Sequence, residues 1–157
     1  MLKSKYSKIE RERKFLIAPD FDLIKGLPLK TITDLYVDNT HLRLRKMSGP
    51  SGEIYKLTKK TALPTAGSFE ITTIYLEQTE HELLSQSAGT TVEKTRYLKD
   101  LHPFTMGIDR YYRDGAETWL AEIEFETEEQ MKMFALPMPY EVEITGNNEF
   151  SGFALAN

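Results

Sequence analysis

Residues 9–17 read IERERKFLI, a run in which charged and apolar residues are mixed. Successive side chains of a β-strand point to opposite faces, so a strand here puts Glu10, Glu12 and Lys14 on one face. Ile9, Arg11, Arg13 and Phe15 fall on the other. Taken alone, this is the ordinary pattern of a half-exposed antiparallel strand with a solvated face. Its meaning depends on whether other strands repeat it with the charges sorted by sign.

Several do. "LRLR" places Arg43 and Arg45 together against Leu42 and Leu44, and "YKLTKK" places Lys56, Thr58 and Lys60 against Tyr55 and Leu57. Lys94 and Arg96 pair in "EKTRY", Glu122 and Glu124 in "AEIEF", and Glu141 and Glu143 in "YEVEI". A generic solvent face mixes signs and contains Ser, Thr and Gln. Should these faces converge inside a barrel, Lys14, Arg43, Arg45, Lys56, Lys60, Lys94 and Arg96 would line it beside a group of carboxylates. Buried charges must be paired, hydrated or bound to a ligand. The occupant that suits both signs is a polyanion with a metal: Arg forks grip phosphate, Lys acts as a point charge, and carboxylate oxygens suit Mg²⁺ or Mn²⁺.

Around these strands the chain looks ordinary. Its 157 residues suffice for one domain, 1–157, with a sizeable core. A formal net charge of −4 supplies no global basic field for nucleic acid or an anionic membrane, so an anion site must be local. There are no cysteines, and His41, His81 and His102 have no short metal-binding spacing, which leaves oxygen ligands. No apolar run approaches the roughly 18 residues of a membrane span, and the N-terminus has no apolar signal core. A soluble, cytoplasmic protein is expected.

Short helices are expected in "APDFDLIKGL", "EQTEHELLSQS" with Thr79 near its start, "TEEQMKMFAL" opened by Thr127, and "NEFSGFALA". Strands are expected in "KTITDLYVD" and "THLRLRKM", a hairpin around "DNT", then in "EIYKLTKKT", "SFEITTIYL", "TTVEKTRYLKD", "MGIDRYYRD" and "TWLAEIEFE", with "PMPYEVEIT" last. Asp114-Gly115 marks a turn. No βαβ unit is apparent. The fold class is therefore α+β, mainly antiparallel β, with an eight-stranded closed barrel as the particular form and a few short peripheral helices.

The ordered series resembles a known family. An E-x-E-x-K at Glu10, Glu12 and Lys14 is followed by "LRLR", "YKLTKK", "KTRY", "GIDRYY", "LAEIEF" and "EITGNNEFSGFALA", spanning Ile9 to Ala156. In this it is similar to the CYTH superfamily, the triphosphate tunnel metalloenzymes. The resemblance implies an eight-stranded tunnel whose lumen binds triphosphate and a divalent metal, Mg²⁺ or Mn²⁺. It implies metal-binding carboxylates at Glu10, Glu12, Glu122 and Glu124, with Asp109 in "GIDRYY" and Glu143 in "EIT" as further acids. Lys14 would lie close to the metal site, and the seven cations would clamp phosphate. Arg11 and Arg13 fall on the wrong face, and Arg113 is a weak lumen candidate. Thr58 is equally a strand-lining threonine, Glu70 is as readily a surface residue, and Tyr36, Tyr111 and Trp119 read as packing. Gly146 stands where the family often carries an acid. The short segment after the last strand suggests that the helix plugging one tunnel mouth in longer relatives is missing.

The activity implied is metal-dependent hydrolysis of a triphosphate, first of all inorganic tripolyphosphate, to pyrophosphate and phosphate by a metal-oriented water. Adenylate cyclisation, thiamine or nucleoside triphosphate hydrolysis on the same scaffold, and a non-catalytic polyphosphate-binding module are the alternatives. The expected partner is a small triphosphate, with a homodimer left open and neither nucleic acid nor a membrane.

Overall fold

Alternating sequences form long antiparallel strands, and in the computed structural model, which describes residues 4–156, these strands close on themselves. The strands are β1 (Lys8–Ile17), β2 (Leu29–Val37), β3 (Leu42–Gly49), β4 (Gly52–Ala62), β5 (Ser68–Leu76), β6 (Gly89–Leu101), β7 (Phe104–Arg113), β8 (Ala116–Phe125) and a two-residue β9 (Val142–Glu143). Their order is β5-β4-β3-β2-β6-β7-β8-β1-β9, and a further β5–β1 pairing closes an eight-stranded antiparallel barrel with β9 as an extra strand. The barrel expected from the sequence is present. The Asp114-Gly115 turn joins β7 to β8 with both residues at positive φ (50° and 81°), as a two-residue hairpin of the primed type requires.

β1 is the seam. One edge pairs with β8 from Arg11↔Phe125 to Ile17↔Trp119. The other pairs with β5 only from Lys8 to Arg11. Beyond that point the edge is covered piecemeal: the Glu12 N–H donates to the Gly67 carbonyl (2.8 Å), the Lys14 N–H to the Thr145 hydroxyl (3.0 Å), and β9 pairs with Phe15 and Leu16. Gly67 lies so close that a Cβ there would sit 2.2 Å from the Glu12 carbonyl oxygen, and its φ is +78°. Only glycine meets both conditions.

The expected nine-residue final strand is thus reduced to Val142–Glu143. Pro137 and Pro139 lack the donors a ladder needs, and the β1 edge is free only over a short stretch. Helices α1 (Phe21–Ile24), α2 (Gln78–Leu84), α3 (Glu128–Met133) and α4 (Gly152–Ala156) fall where expected. α1 is capped by Asp20 and α3 by Thr127; at the start of α2 the Glu80 carboxylate accepts from the Glu77 N–H (2.8 Å), so the helix begins before Thr79.

Two apolar clusters flank the tunnel. The larger lies outside the barrel, where Phe15, Ile17, Met106, Ile108, Trp119, Ala121, Ile123 and Phe125 of β1, β7 and β8 pack with Ile24 and Met131 of α1 and α3. The smaller gathers Val92, Tyr111, Leu120 and Ile144 with Leu16, Tyr36, Phe150 and Leu155. Phe150 and Leu155 belong to the segment after β9, and α4 packs on β6. The terminal segment therefore does pack against this end of the barrel, contrary to the expectation that such a plug is missing; its few apolar side chains are enough to find the cluster.

Candidate active site

With the apolar faces of β1, β7 and β8 turned outward, their alternate charged positions point into the barrel. They meet those of β3, β4 and β6 around a cavity of about 680 Å³, a volume ordinary for a small-molecule site. Six expected cations line it: Lys14, Arg43, Arg45, Lys60, Lys94 and Arg96. So do Glu10, Glu12, Glu122 and Glu124. A second cavity of about 380 Å³, rimmed by Phe104, Thr105, Gly107, Glu126 and Gln130, shares Arg96, Glu122 and Glu124 with the first.

The charges form a nearly continuous chain. Lys60 Nζ lies 2.7 Å from Glu10 and 3.4 Å from Glu12; Lys14 Nζ lies 3.2 Å from Glu12 and 3.6 Å from Glu122. Arg96 reaches Glu122 at 3.2 Å and grips Asp109 through two bonds of 2.6 and 2.7 Å. Lys94 donates to Asp109 (2.8 Å) and to the Tyr111 hydroxyl (3.1 Å). On the opposite wall Arg45 makes a two-pronged pair with Asp34 at 2.6 and 2.7 Å. Gly107 makes room for Arg96, whose Nε would be 3.1 Å from a Cβ at that position.

Two groups stand outside this pairing. Arg43 is 3.9 Å from Asp34, and its buried Nε has no hydrogen-bond partner among the described residues. Glu124 makes no hydrogen bond or ion pair among them. An unsatisfied donor and an unsatisfied acceptor in one cavity are what a bound anion and cation would complete.

The electrostatics agree. Burial lifts the Glu12 carboxyl above its ordinary range, Glu122 adds to this, and Lys14 and Lys60 do not offset it. Glu124 is also lifted, by burial and then by Glu10, Glu122 and Glu12. Glu122 goes the other way: burial opposes ionisation, but Arg96 and Lys14 hold it well below the usual range. Burial alone would lower Lys14, yet Glu122 and Glu12 raise it. Lys94, enclosed with Arg96 and Arg45 near it, is pushed down to about 8 in spite of Asp109. The cations thus hold Glu122 ionised, whereas burial outweighs them at Glu12 and Glu124.

Three expected site residues lie elsewhere. In an antiparallel pair, opposed residues share a face, and Glu143 lies opposite Phe15, whose ring is in the outer core. Glu143 is therefore outside the tunnel, where Arg13 donates to it at 2.7 and 2.8 Å. Asp109 is on the tunnel side but fully buried behind Lys94 and Arg96, acting as their anchor, and does not line the cavity. Lys56 lies opposite Arg45 and Tyr75 with its ammonium 5.1 Å from the Tyr75 ring centre, away from the cavity lining. Of the undecided residues, Glu70 accepts from Ser7 and not from a tunnel group, Thr58 bonds Thr73 within the wall (2.9 Å), and Trp119 packs in the outer core. Tyr36 and Tyr111 pack as expected but also line the cavity. Asp34 was missed. Its signal was its register: it lies directly opposite Arg45 across the β2–β3 hairpin.

In donor type the carboxylates suit a hard divalent cation, being all oxygen, with Glu124 unpaired among the described residues. Among the described residues, however, no three acidic or histidine side chains converge as a ready ligand set. The ammonium of Lys60 stands between Glu10 and Glu12 instead.

No protein-family model and no curated protein matches the chain. Solved structures do. NE1496, an inorganic triphosphatase, is 25% identical over 94% of this chain and 93% of that one, with a TM-score of 0.57. PH1819 of Pyrococcus horikoshii is 19% identical over 78% and 82%, TM-score 0.61, and bh2851 of Bacillus halodurans 18% over 87% and 96%, TM-score 0.58; at that identity both speak for the fold alone. The resemblance read from the sequence thus extends to the whole architecture.

Proposed function

We propose that this CYTH-type triphosphate tunnel protein hydrolyses a triphosphate, inorganic tripolyphosphate before others, with Mg²⁺ or Mn²⁺. The observation that carries the reading is the cavity itself: six cations line it, one with an unsatisfied buried guanidinium nitrogen, beside an unpaired carboxylate. The likeness to an inorganic triphosphatase supports the same choice.

Arg43, Arg45, Lys94 and Arg96 hold the phosphates. Asp34 and Asp109 keep Arg45 and Arg96 oriented, so that little reorganisation is needed when charge develops on the leaving pyrophosphate. Glu10, Glu12, Glu122 and Glu124 would hold the divalent cation, which supplies neutralisation of phosphate charge and activation of water. Lys14 bridges Glu12 and Glu122.

The test is phosphate release from tripolyphosphate, ATP, thiamine triphosphate and pyrophosphate, each with Mg²⁺ and with Mn²⁺. Metal-dependent turnover highest on tripolyphosphate is expected, and Glu10→Gln should lose most of it while melting like the parent. Full activity in Glu10→Gln, or cyclic AMP with pyrophosphate as the ATP products, would overturn the assignment.

A further inference from the structure

Lys60 occupies an unusual place. Its ammonium contacts Glu10 at 2.7 Å and both oxygens of Glu12 at 3.4 and 3.5 Å, so it sits between the two carboxylates of the E-x-E pair. It also lies 4.0 Å from the centre of the Phe69 ring, which gives the same charge a second favourable contact on the cavity wall. Three other tunnel cations are held differently. Arg45 and Arg96 are each locked by two bonds to one buried aspartate, and Lys94 is held by Asp109 and Tyr111. Lys60 alone among these four contacts both carboxylates of the E-x-E pair, and does so on a flexible four-carbon stem; Lys14, the other lysine between two carboxylates, reaches Glu12 (3.2 Å) and Glu122 (3.6 Å).

We propose that Lys60 is a displaceable internal counter-ion that couples cation binding to phosphate binding. This rests on the reading that the tunnel takes a triphosphate with a divalent cation. In the ligand-free tunnel the ammonium neutralises Glu10 and Glu12 and keeps a divalent cation from binding there by itself. A triphosphate in the cavity offers Lys60 new oxygen acceptors, the ammonium leaves the carboxylates, and the divalent cation takes its place. Each ligand therefore raises the affinity for the other, because linkage is reciprocal. The tunnel stays free of metal until its substrate is present.

The experiment titrates the full chain with Mn²⁺ alone, reading free Mn²⁺ by electron paramagnetic resonance, for wild type, Lys60→Met, Lys60→Arg and Lys59→Met. Lys59 is exposed on the outer face and loses the same charge, so it controls for net charge. Lys60→Met should bind Mn²⁺ about tenfold more tightly than wild type and Lys59→Met, an ordinary size for a coupling between sites. Lys60→Arg, which keeps the charge, should not. Adding tripolyphosphate at low temperature, with the Mn²⁺ it chelates in a protein-free titration subtracted, should tighten Mn²⁺ binding in wild type and much less in Lys60→Met. Mn²⁺ binding by Lys60→Met that is no tighter than that of Lys59→Met, or absent in every chain, overturns the proposal. Phosphate release by the wild type, measured separately, then tells whether the triphosphatase reading falls with it. Should Lys60→Met fail to fold, Lys60→Gln, which also removes the charge, takes its place: Mn²⁺ binding tighter than that of Lys59→Met supports the swap, and binding no tighter overturns it.

Discussion

At the scale of single residues, the tunnel separates groups that are spoken for from groups that are not. Arg43 belongs to the second kind, since its Nε is buried without an acceptor. A charge-assisted bond to phosphate is the strongest contact it can gain, so Arg43→Ala should raise KM for tripolyphosphate about 10- to 100-fold and change kcat less. Initial-rate kinetics check this; an unchanged KM would remove Arg43 from the anion site. Asp34 belongs to the first kind. Burial opposes its ionisation, but the hydrogen bonds and charge of Arg45 hold its carboxyl below the ordinary range. A carboxylate whose folded pKa is depressed contributes stability that is present above its unfolded value of ~3.9 and is lost as pH falls through the folded value. Asp34→Asn, which leaves Arg45 buried without its partner, should cost about 3 kcal/mol at neutral pH. It should also flatten the loss of stability on acidification below pH ~4. Urea melts at several pH values would show both, and an unaltered acid slope would mean that Asp34 is not the titrating group.

At the scale of elements, β1 shows what alternation can and cannot say. The period of two sorted Glu10, Glu12 and Lys14 from Arg11, Arg13 and Phe15 correctly, and likewise the paired positions of β3, β6 and β8. Parity names two faces without saying which one is inside. Glu143 has the right alternation but hangs from the outer edge of β1, a consequence of pairing register that no local pattern records. Asp34 escaped for the opposite reason: a lone acid among Ile32 and Tyr36 has no like-charged neighbour two residues away, and its partner lies on the next strand. The close approach of Gly67 to the Glu12 backbone also depends on distant segments meeting. Because a Cβ at 67 would collide with the Glu12 carbonyl oxygen, Gly67→Ala should destabilise the chain by about 2–3 kcal/mol. Activity measured well below the melting temperature should fall as well, because Glu12 must move. A variant that melts and turns over like the parent would show that the seam is loose.

For the whole molecule, the sign of the charge balance matters less than its location. A chain of net charge −4 concentrates cations in one cavity, so small polyanions should bind while the outer surface attracts none. If tripolyphosphate is the ligand, at about one hundred times its Kd it should stabilise the folded form by about 2.7 kcal/mol, a rise in melting temperature of roughly 5–10 °C for a domain of this size. Thermal melts with tripolyphosphate, phosphate and sulfate would check it. Equal shifts with all three would point to a general salt effect.

The seam at β1 also bears on how the chain reaches its fold. β1 is made early, yet its long ladder is with β8 and its remaining edge waits for Gly67, β9 and Thr145. Until those segments arrive it is an unpaired strand, the kind of surface that recruits other chains into aggregates. Between Glu10 and Lys14 every residue is charged, on both faces of the strand. Charge on an open edge discourages edge-to-edge association. The run IERERK would thus guard the open edge of the unfinished barrel as well, and neutralising the outward pair Arg11 and Arg13 should lower the yield of soluble protein.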